Sequence, residues 1–393
     1  MKITIHRGTH QIGGIAIEIC TDRTRIFIDM GDELSLDSEF VPSLLNIPGV
    51  TDANGCCDAV FFSHYHGDHT GQMSHIRKDV PLYIGELAKK IMWLTADHAI
   101  PRDNMLCEQI LRMKTFCAGI KINIGDICIT PYSIDHSACD SYMFLLEANG
   151  KSILYTGDFR LHGFRGKAIL KILRKIGKVD VLITEGTTLS RSSRPVSTEY
   201  ELQQRVKGYI NNYKYVFVLC ATTNLDRIIA CARSVPYRKY SLCDEYQYKL
   251  VKTVCEHWHD FSLFYKMPKL TWFKYSPPER FAKLGGLMFV RANSKFEAII
   301  RQYDPAKSIL LYSMWDGYRT KPGSKLMNFL TLTGTWEILH TSGHASQDDI
   351  RRVIETVDPK ILIPVHTDKP EQMKMLCSNR NVLILQDGEE FSL

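Results

Sequence analysis

The segment Ser63-His-Tyr-His-Gly-Asp-His69, directly after the apolar run Ala59–Phe62, constrains this chain more than any other. Three histidines and an aspartate fall within six residues in the pattern HxHxDH. With 14 histidines in 393 residues, chance places that pattern in such a chain less often than roughly once in 500. Neutral imidazoles and a carboxylate are ligands suited to zinc. Alternate spacing on an extended loop turns His64 and His66 toward one ion and Asp68 and His69 toward a second, so a two-metal site is expected. Two ions roughly 3.5 to 4 Å apart generate hydroxide at neutral pH and neutralise charge on a phosphodiester or acyl oxygen. The alternatives are a solvated histidine-rich loop or one structural zinc, and such a zinc closes with four ligands and needs no carboxylate.

The rest of the chain supplies a scaffold of mixed α and β type. Over the first 190 residues short apolar runs alternate with turn signals, as in Lys2–His6, Ile15–Cys20, Arg25–Asp29, Cys128–Tyr132, Tyr142–Glu147, Ser152–Tyr155 and Val179–Thr184, which read as strands. Gly85–His98 and Lys167–Ile176 read as helices, the latter with Ile169, Leu170, Leu173 and Ile176 on one face. A polar, proline-containing connector, Ser190–Pro195, then precedes a capping-box signal at Thr198 and Glu201. A second unit follows, with strands near Tyr215–Cys220, Leu287–Val290 and Ser308–Tyr312 and a helix from Asn224 to about Arg233, an alternation that predicts a parallel sheet. From Thr335 the pattern changes again, with Trp336–Leu339, a helix capped by Ser346 and Asp349, and strands at Ile361–Val365 and Val382–Leu385.

Composition closes off several other classes. Hydrophobic residues at 45% and charged residues at 23% exclude disorder as a description of the chain. No apolar run approaches a membrane span and the start lacks a secretion signal, so a cytoplasmic protein without membrane contact is expected. The 12 cysteines contain no CxxC pair, which leaves cysteine-rich zinc modules unsupported and reduced thiols as the expectation. A net charge of +6 is compatible with an anionic partner but too small over this length to demonstrate one.

The HxHxDH segment resembles the second motif of the metallo-β-lactamase superfamily, and other residues resemble that family's motifs in order. Asp29, ending Ile26-Phe-Ile-Asp29, is similar to the first-motif aspartate, which orients metal ligands from behind them. His136 in Ile134-Asp-His-Ser-Ala138 resembles the third-motif ligand, and Asp158 in Tyr155-Thr-Gly-Asp-Phe-Arg160 resembles the aspartate that bridges both ions. Glu185, His344 and His366 resemble motifs A, B and C of the β-CASP branch, the nucleic-acid processing nucleases that include RNase J and the cleavage and polyadenylation endonuclease. Thr222-Thr-Asn-Leu-Asp-Arg227 resembles the opening turn of the inserted domain in that branch, so the resemblance covers nearly the whole chain.

The resemblance implies a metallo-β-lactamase αββα sandwich with an inserted α/β β-CASP domain, divided as 1–192, an insert at 193–334 and a return segment at 335–393. It implies two Zn2+, with Mn2+ as an alternative: one on His64, His66 and His136, the other on Asp68, His69 and His366, and Asp158 between them. The implied reaction is hydrolysis of RNA by a metal-bound hydroxide, with Asp68 and His344 in the chemistry and Glu185 as an orienter. A histidine at motif C favours RNA over DNA, since DNA-processing members usually carry valine there. Arg160, Arg227, Ser342 and Trp315 are candidate substrate contacts. RNase J usually has a Gly-Ser-Gln-Gly-Glu turn where this chain has Ser313-Met-Trp-Asp-Gly-Tyr318, which weakens the expectation of strict 5′ exonuclease action. The chain is expected to be a minimal β-CASP core, of open oligomeric state. Hydrolysis of another phosphodiester, an ester or a lactone is the alternative, because a dinuclear site is chemically permissive. A non-catalytic subunit would show broken ligands, and all seven are present.

Overall fold

The computed structural model describes every residue except Leu36, Ser38, Ile100, Ser192, Ser193, Arg194 and Pro322. The predicted boundary at 192/193 and the middle of the connector therefore lie outside the described residues. Two compact units emerge, Met1–Pro195 with Gly343–Leu393, and Val196–Ser342.

In the first unit, strands with one apolar face form two facing sheets. The seven-stranded sheet runs Glu390–Ser392, Lys2–Arg7, Ala16–Cys20, Arg25–Met30, Ala59–Phe61, Leu82–Gly85, Lys114–Phe116. The six-stranded sheet runs Ile361–Val365, Val181–Glu185, Lys151–Tyr155, Ser141–Ala148, Ile127–Ile134, Ile122–Ile124. In Lys2–Arg7 the inward residues Ile3 and Ile5 alternate with outward ones, as a half-buried strand requires. Ile5, Ile17, Ile28 and Phe61 of one sheet pack with Ile129, Phe144, Ile153, Ile183 and Ile363 of the other. The far face of the six-stranded sheet is covered by the helices Gly166–Ile176, through Ile169 and Leu173, and Gln347–Val357, through Ile350, Val353 and Ile354. Glu86–His98 lies along Leu82–Gly85 and Lys114–Phe116 and buries Leu87, Ala88 and Ile91. The layers are thus helix, sheet, sheet, helix, as the resemblance implied.

Strand direction decides where a site can form. Arg25–Met30 and Ala59–Phe61 are parallel neighbours, and so are Lys151–Tyr155, Val181–Glu185 and Ile361–Val365. Ile127–Ile134 and Lys151–Tyr155 are both antiparallel to Ser141–Ala148 and so run in the same direction. In each sheet, then, the strands that precede the singled-out residues finish at one end.

The second unit is built on a six-stranded, all-parallel sheet ordered Thr271–Phe273, Tyr240–Asp244, Gly286–Val290, Tyr215–Cys220, Ser308–Ser313, Trp336–Ile338. Its central strands YVFVLC, GLMFV and SILLYS are buried at every position, as expected of a parallel sheet covered on both faces. Thr198 and Glu201 make the predicted capping box at the start of the helix Glu199–Asn212. Two segments differ from expectation. Trp336–Ile338, assigned by sequence to the return segment, pairs with Ser308–Ser313 and lies in the second unit, because a parallel ladder is available to it there. Val382–Leu385 makes a single bridge, Val382 to Leu362, and the last strand is Glu390–Ser392, which pairs with Lys2–Arg7. Among the described residues no helix is long and apolar enough to cross a membrane.

Candidate metal centre

Seven side chains meet where the strands of the first unit finish. Ser63–His69 leaves Ala59–Phe61 as a loop that becomes the short helix Gly67–Thr70. His136 follows Ile127–Ile134, Asp158 follows Lys151–Tyr155, and His366 follows Ile361–Val365 directly. Close packing needs Gly31, whose added Cβ would lie 1.7 Å from the carbonyl oxygen of Asp68. Two site residues hold a backbone that L side chains rarely adopt: Asp29 at φ 59°, in a bulge opposite Ala16 and Ile17, and His366 at φ 53°. Each such position costs on the order of 1–3 kcal/mol and persists because its surroundings over-determine it.

The donor atoms converge on one carboxylate oxygen. Asp158 Oδ2 is 3.2 Å from His69 Nε2, 3.7 Å from His366 Nε2 and 3.9 Å from both His64 Nε2 and His136 Nε2. His136 Nε2 is 3.2 Å from His66 Nδ1, and His366 Nε2 is 3.1 Å from Asp68 Oδ2. Zinc–nitrogen bonds of about 2.0–2.1 Å place neighbouring donors of a tetrahedral site about 3.3–3.4 Å apart, inside this spread. The donors form the groups His64, His66, His136 and Asp68, His69, Asp158, His366, each within 4.8 Å of one another. His64 Nε2 and Asp158 Oδ1 are buried with no hydrogen-bond partner among the described residues, at a cost that a bound cation would remove. The residues fit bound divalent metal.

Hydrogen bonds behind the ligands fix which ring nitrogen faces inward. His64 Nδ1 lies 3.0 Å from Ser63 Oγ, His69 Nδ1 2.8 Å from Asp29 Oδ2, His136 Nδ1 2.7 Å from the Gly343 carbonyl, and His366 Nδ1 2.8 Å from Thr187 Oγ1. In these four rings Nδ1 is engaged outward, which leaves Nε2 as the atom facing the centre. Burial opposes charge on His69, but Asp158, Asp29 and Asp68 around it push its imidazole well above the ordinary histidine range, so this ring must give up a proton to ligate. Burial holds the imidazoles of His64 and His136 well below the ordinary histidine range, and pushes His66 down to about 4. These three are neutral at pH 7, the state a ligand needs. Burial opposes charge on Asp158 too, yet His366, His69 and His344 around it keep its carboxyl well below the usual range.

Asp29 is the hub behind the centre. Its carboxylate accepts from Ser63 N at 2.7 Å, Ser63 Oγ at 2.8 Å and Tyr155 Oη at 2.9 Å, besides holding His69. Asp29→Ala leaves these buried donors without an acceptor, at roughly 1–3 kcal/mol for each group left unmet. The expected result is a loss of about 3 kcal/mol or more in urea unfolding, with metal affinity reduced roughly 10- to 100-fold. A loss below about 1 kcal/mol with unchanged affinity would remove Asp29 from this role.

His344 stands beside the ligands. Its Nδ1 is 3.1 Å from Glu185 Oε2, 3.2 Å from Thr187 Oγ1 and 3.5 Å from Asp158 Oδ2. Burial works against its protonation, but Glu185 and Asp158 outweigh that and raise it to about 9. The other oxygen of Glu185 accepts from Phe159 N at 2.8 Å, which ties this carboxylate to the turn carrying Asp158.

The four candidate substrate contacts are placed differently. Arg160 is fully buried, with Nε on Asp135 Oδ1 at 2.8 Å, so it braces the loop next to His136 and meets no solvent. Arg227 is also buried, paired with Glu199 at 2.5 Å and donating to the Thr341 carbonyl at 3.0 Å within the second unit. Both guanidiniums are committed to internal ion pairs rather than turned to solvent. Ser342 is half-buried. Trp315 is 41% exposed, edge-on to Tyr318 at 5.4 Å. Sequence reasoning missed Ser63, Tyr155 and Thr187. Only Thr187 had a local signal, two residues beyond Glu185 at the same strand end.

Residues 24–206 match the beta-lactamase superfamily domain, and residues 336–379 match the Zn-dependent metallo-hydrolase RNA specificity domain. The first range holds every singled-out residue from Asp29 to Glu185, and the second holds His344 and His366. A probable RNase, MJ4, of Methanocaldococcus jannaschii is 29% identical over 48% of this chain and 45% of its own length. Ribonuclease J of Helicobacter pylori is 21% identical over 99% of this chain and 60% of its own. The chain thus spans about half the length of the curated relatives it matches. A crystal structure of a protein of unknown function from Enterococcus faecalis V583 superposes with a TM-score of 0.79, covering 100% of this chain and 99% of that one at 21% identity, a likeness of fold.

Proposed function

Because the chain belongs to the metallo-β-lactamase superfamily, in its RNase J-like β-CASP branch, we propose that it hydrolyses phosphodiester bonds of RNA at a dinuclear zinc centre. The observation that carries this reading is a convergence. The segment matching an RNA specificity domain delivers His344 and His366 onto the same carboxylate, Asp158, that the HxHxDH segment surrounds.

His64, His66 and His136 would hold one ion and Asp68, His69 and His366 the other, with Asp158 shared. Bound there, two divalent ions supply an activated water at neutral pH and neutralise charge on the phosphoryl oxygens. The side chains do the rest. Engaged Nδ1 atoms turn Nε2 of four imidazoles toward the ions, and Asp29 anchors His69 from behind. The Nδ1–H of His344 donates to Glu185, which leaves Nε2 as the atom that gives a proton to the departing ribose oxygen. Glu185 is a positioning residue: it steadies the charged imidazole and sets its direction. We assign Met1–Pro195 with Gly343–Leu393 as the metallo-β-lactamase domain and Val196–Ser342 as the β-CASP insert.

The test is a time course of end-labelled RNA, carrying a 5′ monophosphate or triphosphate, with zinc- or manganese-loaded protein and an Asp68→Ala/His69→Ala control. Internal fragments absent from the control support endonuclease action, and mononucleotides from the monophosphate RNA alone support 5′ exonuclease action. No cleavage by loaded wild type, with turnover of small phosphodiesters or lactones, would replace RNA with those substrates.

A further inference from the structure

The lysine- and aromatic-rich stretch of the second unit is left unused by the metal centre. Residues 237–295 contain eleven lysines and arginines against five aspartates and glutamates. That surplus of six equals the net charge of the whole chain, +6. Most of the carboxylates are taken: Glu245 pairs with Lys249, Glu256 with Lys252, Asp244 with Arg291 and Asp260 with His259. Lys266, Lys269 and Lys274 have no carboxylate partner among the described residues.

Two of these lysines, Lys269 and Lys274, flank one sheet edge. Thr271–Phe273 is the terminal strand of the parallel sheet, paired only with Tyr240–Asp244 among the described residues. Phe273 is buried beneath it, whereas Trp272, the middle residue, is 44% exposed, and Tyr275, just past its end, is 78% exposed. Lys274 Nζ stands 5.3 Å from the Tyr275 ring. Before the strand, Lys269 Nζ sits 4.5 Å from the ring of Tyr237, itself 87% exposed, and is held by the Tyr237 carbonyl at 2.5 Å.

An edge strand needs lysines to discourage pairing with other sheets, but it needs no exposed tryptophan and tyrosines. Open aromatic rings beside unpaired cations are what a single-stranded nucleic acid uses, since bases stack on the rings and phosphates meet the cations. We propose that the edge formed by Tyr237, Lys269, Trp272, Lys274 and Tyr275 is an accessory docking surface for single-stranded RNA, distinct from the metal centre. The inference rests on RNA as substrate. The two lysines of the edge and the surplus of cations around it in sequence are complementary to a polyanion.

Binding of a fluorescein-labelled 30-nucleotide RNA to the full chain, followed by anisotropy in EDTA across a salt series, tests it without cleavage. Trp272→Ala/Tyr275→Ala should weaken binding roughly 5- to 150-fold for each stacked base lost. Lys269→Gln/Lys274→Gln, which removes no packed side chain, should make the slope of log affinity against log salt shallower by about 1.4, at about 0.7 per phosphate contact. Hydrolysis of bis(p-nitrophenyl) phosphate by the metal-loaded variants should equal wild type. Unchanged affinity and slope in both variants would overturn the proposal. So would loss of self-association in sedimentation with RNA affinity intact, which would make the edge a contact between copies of this chain. The outcomes separate from those of RNA hydrolysis: wild type that binds through this edge but cuts no RNA sinks the function and keeps the surface, and the converse sinks only the surface.

Discussion

Asp158→Asn should abolish RNA cleavage while leaving the fold in place. One oxygen of this carboxylate lies within 3.9 Å of ring nitrogens of His64, His69, His136 and His366. An amide of nearly equal size preserves packing but carries no charge and is a weak bridging ligand. A two-ion site contributes several kcal/mol of transition-state stabilisation. At about 1.4 kcal/mol per factor of ten, the expected fall is ~10³-fold or more. Metal analysis of the purified variant should show fewer than two ions per chain, with circular dichroism unchanged. A variant that keeps two ions and more than about a tenth of wild-type rate would show that Asp158 does not join the two sites.

His344→Ala is expected to separate proton transfer from metal binding. The ring stands 3.5 Å from Asp158 through Nδ1, but that nitrogen also faces Glu185 and Thr187. His136, Asp158 and His344 also lie close enough to form a ligand group, so a ligand role competes directly with the acid role. As a proton donor His344 accounts for about 10²- to 10⁴-fold in kcat. That loss should come with the ion count of wild type and a KM changed little. Glu185→Gln should give the same phenotype in milder form, about 10- to 100-fold. Loss of an ion from His344→Ala would make it a ligand and transfer proton delivery to another group.

What the sequence disclosed and what it hid follow from how far apart the interacting residues lie. His64, His66, Asp68 and His69 were legible because the pattern is local and follows a strand. Asp29, His136, Asp158 and His366 became legible through family resemblance, each at or just beyond the end of an apolar run. The hydrogen bonds that aim them were not: Ser63, Tyr155 and Thr187 reach partners across 34, 126 and 179 residues of chain, a lone serine or tyrosine carries no sign of such a partner, and Thr187 showed only its place at a strand end. The ion pairs of Arg160 and Arg227 were hidden for a related reason. A guanidinium reads as a surface charge until the fold brings Asp135 or Glu199 to it. The strand Trp336–Ile338 was visible as a strand, but its sheet is set by the register with Leu310–Tyr312, which local propensity does not encode.

The most direct test of a two-ion RNA hydrolase is to titrate metal-free protein with zinc or manganese while counting bound ions and following cleavage of labelled RNA. The expected result is little cleavage with one ion per chain, a rise as the second site fills, and saturation at two. Full cleavage at one ion per chain, or none at two, would contradict it.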